Sequence, residues 1–196
     1  MSFINYANRE INCKIVYCGP GLSGKTTNIT QIYRSVNSSL RGKLVTLNTE
    51  MERTLFFDFL PLELGKIAGF KVRFHLYTVP GQVFYEASRR LILKGADAVI
   101  FVADSQKDRM DANYEAMRDL KENMQVYNLD FDELPYALQL NKRDLDDVYD
   151  TDFLTGELKI GNEPVYQAVA TRNEGVQDTL KDIARQVLRR LKAEMS

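Results

Sequence analysis

The sequence predicts a doubly wound α/β domain, with a mostly parallel central sheet and helices on both faces. Three observations lead there. Short apolar runs alternate with amphipathic stretches along the chain, the pattern of successive βαβ units. Two of the runs, at residues 13–18 (CKIVYC) and 98–103 (AVIFVA), are apolar enough for strands covered on both faces. The first run leads straight into a glycine-rich turn, GPGLSGKTTN at residues 19–28, with a helix-compatible stretch behind it.

In chain order, strands are expected at 13–18, 43–48, 71–79, 97–103, 136–140 and 164–170. Helices are expected at 25–36, 83–94, 109–127 and from 176 onward. Residues 43–48 (KLVTLN) form an added strand early in the chain. Residues 145–163 are polar, with a short helix possible after Thr151. The last helix is the clearest. Val176, Leu180, Ile183, Val187 and Leu191 recur every three or four residues, while Lys181, Arg185 and Arg189 fall on other faces. Gly175 precedes it as a breaker. There is no internal repeat, no low-complexity tract and no linker, so residues 1–196 read as one domain.

Composition excludes several classes. The formal net charge is −1, so no bulk field attracts nucleic acid or anionic lipid. No apolar run reaches the ~18 residues of a membrane-spanning helix. MSFINYANRE lacks a signal-peptide core, residue 2 is Ser, and AEMS carries no prenylation cysteine. A cytoplasmic chain with no direct membrane anchor is expected. Cys13 and Cys18 have an odd spacing that puts them on opposite faces of one strand, and they read as reduced buried thiols. His75 lies in the alternating run KVRFHLYTV and reads as a satisfied strand histidine.

The chemistry begins with Gly19-Pro-Gly-Leu-Ser-Gly24-Lys25-Thr26, which fits G-x-x-x-x-G-K-[ST]. Glycines let backbone N–H groups approach anionic oxygens, and the helix behind points its positive end at them. Gly19, Gly21, Leu22, Ser23, Gly24, Lys25, Thr26 and Thr27 are therefore expected around a phosphate chain. Lys25 supplies a point charge and the Thr26 hydroxyl ligates Mg²⁺. The base is read further on. Leu140-Asn141-Lys142-Arg143-Asp144 stands at a predicted strand end, where open α/β sheets bind ligands. Asp144 can accept from guanine N1–H and the 2-amino group, a pair of donors adenine lacks. Lys142 can lay its aliphatic stem along the base, and Asn141 can tie this loop to the phosphate loop. A weaker third loop, Val169-Ala170-Thr171, follows the last strand.

With both loops in view the chain resembles the Ras-like small GTPases over nearly its whole length. That resemblance implies a P-loop NTPase fold with a Ras-like G domain, GTP and GDP with Mg²⁺, and slow GTP hydrolysis. It implies that the Ala170 N–H meets the guanine carbonyl, as in the family's S-A-K loop. Residues 78–82 (TVPGQ) stand where the family has D-x-x-G-Q. Gly81 would then sense the γ-phosphate and Gln82 orient the attacking water. Thr54, 24 residues before Thr78, is close to the family's spacing for the threonine that ligates Mg²⁺ and γ-phosphate. Thr78 departs from the pattern, because it replaces the aspartate that holds Mg²⁺ through water.

GPGLSGKTTN, TVPGQ and MERTLFFDFLP are similar to the bacterial gliding-motility GTPases in particular. This implies a regulator of cell polarity and motility, recruited to a cell pole. It also implies a roadblock-fold activating protein, effectors that bind the switch regions, and Arg53 as an arginine finger in cis. From the residues alone, Arg53, one position from Thr54, either comes to the phosphates by a modest loop shift or is a solvated loop arginine. Phe57 and Phe59 share a face by their spacing, for core packing or for a partner. The basic stretch Arg185–Lys192 reads as a solvated helix face. The competing reading is a nucleotide-dependent scaffold in which binding, not hydrolysis, carries the signal. Thr78 motivates it and Gln82 argues against it.

Overall fold

The computed structural model describes residues 3–47, 57–80 and 86–195. Its strands are β1 (Phe3–Asn5), β2 (Glu10–Cys18), β3 (Val45–Leu47), β4 (Phe57–Ile67), β5 (Phe70–Thr78), β6 (Ala98–Asp104), β7 (Tyr136–Asn141) and β8 (Val165–Gln167). Its helices are α1 (Lys25–Ser35), α2 (Glu86–Leu93), α3 (Met110–Val126), α4 (Thr151–Leu158) and α5 (Val176–Glu194). Short 3₁₀ turns cover Ser38–Leu40, Lys107–Arg109 and Ala170–Arg172.

The sheet order is β3-β4-β5-β2-β6-β7-β8. The five strands from β5 to β8 in that order run parallel. β3 and β4 extend the β5 side antiparallel. β6 pairs with β2 only from Ile15 onward, and β1 lies antiparallel against Glu10–Asn12. The mostly parallel α/β architecture matches the expected class.

Alternation along β2 explains the two layers of core. Ile11, Cys13, Ile15 and Tyr17 face α1 and α5, packing with Ile29, Ile32, Val176, Leu180, Ile183 and Val187. Val16 and Cys18 face the other way, toward Leu93, Met117, Leu120, Leu154 and Leu158. β6 and β7 are buried along their whole length, as strands covered on both faces must be. Cys13 and Cys18 accordingly sit in opposite layers as buried thiols, neither in a disulfide. Burial pushes the Cys18 thiol up to about 12, which keeps it protonated. His75 is satisfied within the sheet: its Nε2 lies 2.8 Å from Asn12 Oδ1 and its ring stacks on Phe59. Burial first, and Arg73 second, hold its pKa below the ordinary range against the pull of Glu10.

Several expected bounds move. The strand expected at 13–18, β2, begins at Glu10, three residues early, because β5 pairs with it from there. The strand expected at 164–170 is only Val165–Gln167. Beyond it the chain closes a tight turn, with Val169 N–H donating to Glu174 O and Glu174 N–H to Val169 O. The added strand at 43–48 shortens to Val45–Leu47, an edge piece paired with Phe57–Phe59. Asn48 and the 83–85 start of the second expected helix lie outside the described residues. The largest element missed is β4, eleven residues long. Pro61 and Gly65 disguise it, yet Pro61 lies beyond the stretch that β3 covers, and Gly65 marks a bulge between Glu63 and Lys66. Phe57 and Phe59 do share a face, both packed on Tyr77. The helix after Thr151 forms, capped by Asp150 accepting from Phe153 N–H.

Ile183 tests the α5 seam. It is wholly buried between α5 and the sheet. Ile183→Ala should destabilise the fold by about 2–5 kcal/mol, read as a lower urea midpoint at an unchanged slope.

Candidate functional site

The carboxyl ends of β2 and β5, with β4, α2 and α3, border an open cleft of about 1220 Å³. Gly19, Gly24, Lys25, Thr26, Asp58, Thr78 and Arg109 are among its lining residues. The phosphate loop is built by backbone geometry. Gly19 has φ +130° and Gly24 φ +99°, both in the left-handed half of the map. A Cβ on Gly19 would lie 2.2 Å from the Val102 carbonyl oxygen, and one on Gly24 would lie 2.3 Å from Asn141 Nδ2. Leu22 also takes positive φ, +66°, with its side chain 86% exposed. Ser23 is fully buried, and α1 starts at Lys25 with no side-chain cap on its free N–H groups. Uncapped first-turn donors at a helix start are an anion site.

Lys25 is buried along this loop and donates to Gly19 O (2.9 Å) and Pro20 O (2.6 Å). Burial lowers its pKa to about 8; Cys18 and Asp58 offset part of that and Arg89 adds to it. Thr26, next on α1, donates its hydroxyl proton to Asp58 Oδ2 at 2.6 Å. On the α3 side, Arg109 Nη2 donates to Gly21 O at 2.9 Å.

The second loop meets the first through one side chain. Asn141 ends β7, donates from Nδ2 to Ser23 O (2.7 Å) and accepts at Oδ1 from Ala170 N–H (2.9 Å). This is the tie between loops that the sequence suggests, with the Val169–Ala170 loop added to it. The Ala170 N–H, which the resemblance assigns to a base carbonyl, donates here to the Asn141 amide instead. The reason is proximity, since both loops leave neighbouring parallel strands. Lys142 has φ +66°, and its ammonium bonds Asp104 Oδ2 (2.6 Å) and Gln106 Oε1 (2.9 Å), which fixes its stem. Asp144 faces Arg172 at 3.6 Å.

Thus Gly19, Gly21, Leu22, Ser23, Gly24, Lys25, Thr26, Thr27, Asn141, Lys142, Asp144, Val169 and Ala170 gather in neighbouring loops at one end of the sheet, and Thr78 ends β5 at the cleft. Arg53, Thr54, Gly81 and Gln82 lie outside the described residues, as does Phe56. Sequence reading missed Asp58, Arg109 and Arg172. Asp58 is the second residue of β4, the strand that pairs with the one ending in Thr78, and only that pairing brings it to the cleft.

The donor set suits Mg²⁺ carried with a phosphate chain. Hydroxyl and carboxylate oxygens stand together at Thr26, Asp58 and Thr78. Among the described residues no group of three His, Cys, Asp or Glu forms a self-sufficient metal cage. A Mg²⁺ ion that keeps its waters and leans on phosphate oxygens needs no such cage. Among the described residues, no helix is long and apolar enough to cross a membrane.

No family model matches the chain. Among curated proteins it is similar to the mutual gliding-motility protein MglA of Myxococcus xanthus, 58% identical over 192 residues, which cover 98% of each chain.

Lys25 gives a pH test. Its lowered pKa leaves the nucleotide-free protein increasingly neutral there above pH ~8, whereas phosphate oxygens favour the charged form. GDP binding should take up about one proton above pH 8, and Kd should rise by up to about tenfold per pH unit. Calorimetry in buffers of different ionisation enthalpy reads the proton count. No uptake between pH 8 and 9.5 would contradict the assignment.

Proposed function

The chain belongs to the MglA family of Ras-like small GTPases, so it binds GTP and GDP with Mg²⁺ and hydrolyses GTP; from this we propose a switch that sets cell polarity for surface motility. The observation that supports the switch is the Asn141 bridge. It joins the phosphate loop to the loop that reads the base, so one ligand is held at both ends by one rigid frame. The motility role rests on the relative, whose name assigns it to gliding.

In this reading the described half of the site is the fixed half. Gly19 to Thr27 wrap the phosphates. Lys25 meets the outer ones, Thr26 and Thr54 hold Mg²⁺, and Asp144 reads guanine with Lys142 along the base. Val169 and Ala170 border the base. The moving half is carried by Arg53, Thr54, Gly81 and Gln82. Gly81 senses the γ-phosphate, Gln82 orients the water, and Arg53 serves as the finger in cis. Without a finger in place, turnover is about 10⁻⁴ per second. An activating protein of the roadblock type, resembling MglB, would place it. The GTP form engages polarity and motility effectors through the switch surface, in the cytoplasm and at a cell pole.

Single-turnover GTP hydrolysis, with and without such an activator, tests the switch. Arg53→Ala and Gln82→Leu should each bind nucleotide nearly as wild type does. The arginine variant should lose about 10³-fold or more of the stimulated rate. Undiminished stimulation in Arg53→Ala would remove that residue from the mechanism.

Base recognition has its own test. Asp144→Asn replaces an acceptor for guanine N1–H and the 2-amino group with an amide that can donate to xanthine. GTP affinity should fall at least about a hundredfold while xanthosine triphosphate binding rises. Equal GTP affinity in a displacement titration would refute the base assignment.

A further inference from the structure

Asp58 is the least explained charged group in the cleft. It is 4% exposed, on β4, among three hydroxyls. Thr26 (2.6 Å) and Thr78 (3.0 Å) both donate to Oδ2, and Thr46 donates to Oδ1 at 2.9 Å. Its own N–H donates to Thr78 Oγ1 at 2.8 Å. Thr78 therefore bonds Asp58 twice, once as donor and once as acceptor. The register explains why. Phe59 pairs with Tyr77, so the next step of the antiparallel ladder sets position 58 opposite position 78.

Among the described residues no cation stands within ion-pair distance of Asp58. Lys25 is near enough for Asp58 to raise its pKa, but its ammonium is bound to Gly19 and Pro20 carbonyls. Buried carboxylates are ordinarily paired with a cation or placed beside a metal. The Thr26 hydroxyl adds direction. A threonine that offers its lone pair to Mg²⁺ must send its proton elsewhere, and here the proton goes to Asp58.

We propose that Asp58 supplies the carboxylate of the Mg²⁺ site, standing across the sheet from the position where the Ras-like pattern has its aspartate and this chain has Thr78. Asp58 orients Thr26 for the ion and compensates its charge, while Thr78 and Thr46 hold the carboxylate in place. This rests on the GTPase reading, because the ion arrives with the nucleotide.

The test measures release of fluorescent GDP against Mg²⁺ concentration for wild type, Asp58→Asn and the exchange Asp58→Thr with Thr78→Asp. In Asp58→Asn the Mg²⁺ concentration that half-slows release should rise about 10–100-fold. GDP bound in the presence of chelator should be held as in wild type. The exchange should bring the Mg²⁺ requirement back toward wild type, which a purely structural carboxylate would not do. An unchanged Mg²⁺ requirement in folded Asp58→Asn would overturn the proposal. If that variant does not fold, Asp58→Glu, which moves the charge by one methylene, is read the same way, and an unchanged requirement there is equally fatal. Failure of wild type to bind GDP at all would instead sink the nucleotide reading, so the two failures are distinct.

Discussion

One buried carboxamide organises the ligand end of this molecule. Asn141 is 2% exposed, and both ends of its amide are used, one on the phosphate loop and one on the loop after β8. Its position is inherited from β7, every residue of which is buried, so the amide stands on a strand covered on both faces. Gly24 must be glycine partly because this amide occupies the space where a Cβ would go. The start of α1, and with it Lys25 and Thr26, is therefore referenced to β7. A network of this kind is worth more than its separate bonds, because losing one partner strands the other in a low-dielectric interior.

The legible parts of the sequence are those where local chemistry and fold agree. The phosphate loop, NKRD and the stripe of α5 are patterns in which spacing alone carries the physics: the first two meet through Asn141, and the stripe is buried against the sheet. β4 was hidden because its evidence is not local. Pro61 and Gly65 argue against a strand, and the ladder with β5 overrides them. Asp58 was hidden for the same reason. Its partners come from α1, β3 and β5, 32, 12 and 20 residues away in sequence, and only pairing brings them together. Arg109 on Gly21 O and Arg172 near Asp144 are likewise contacts across the fold that no motif encodes.

A short motif is often treated as the unit of function, yet the unit here is a place in space. Thr78 stands at the position where the Ras-like pattern has an aspartate, and its hydroxyl is bonded to the carboxylate of Asp58 on the next strand. Two adjacent antiparallel strands can exchange such duties because residues directly opposite each other lie within side-chain reach. The doubled bond between the two residues also fastens β4 to β5 at the mouth of the cleft.

Leu22 carries a different lesson. It keeps a left-handed backbone that glycine would adopt without strain, and its side chain meets mostly water. For a residue with a Cβ that conformation is strained, by about 1–2 kcal/mol against the right-handed half of the map. Leu22 is therefore held there by the turn around it and not by its own preference. The phosphate loop stores a little strain at a joint whose side chain points at solvent, which the frame beneath it has to carry.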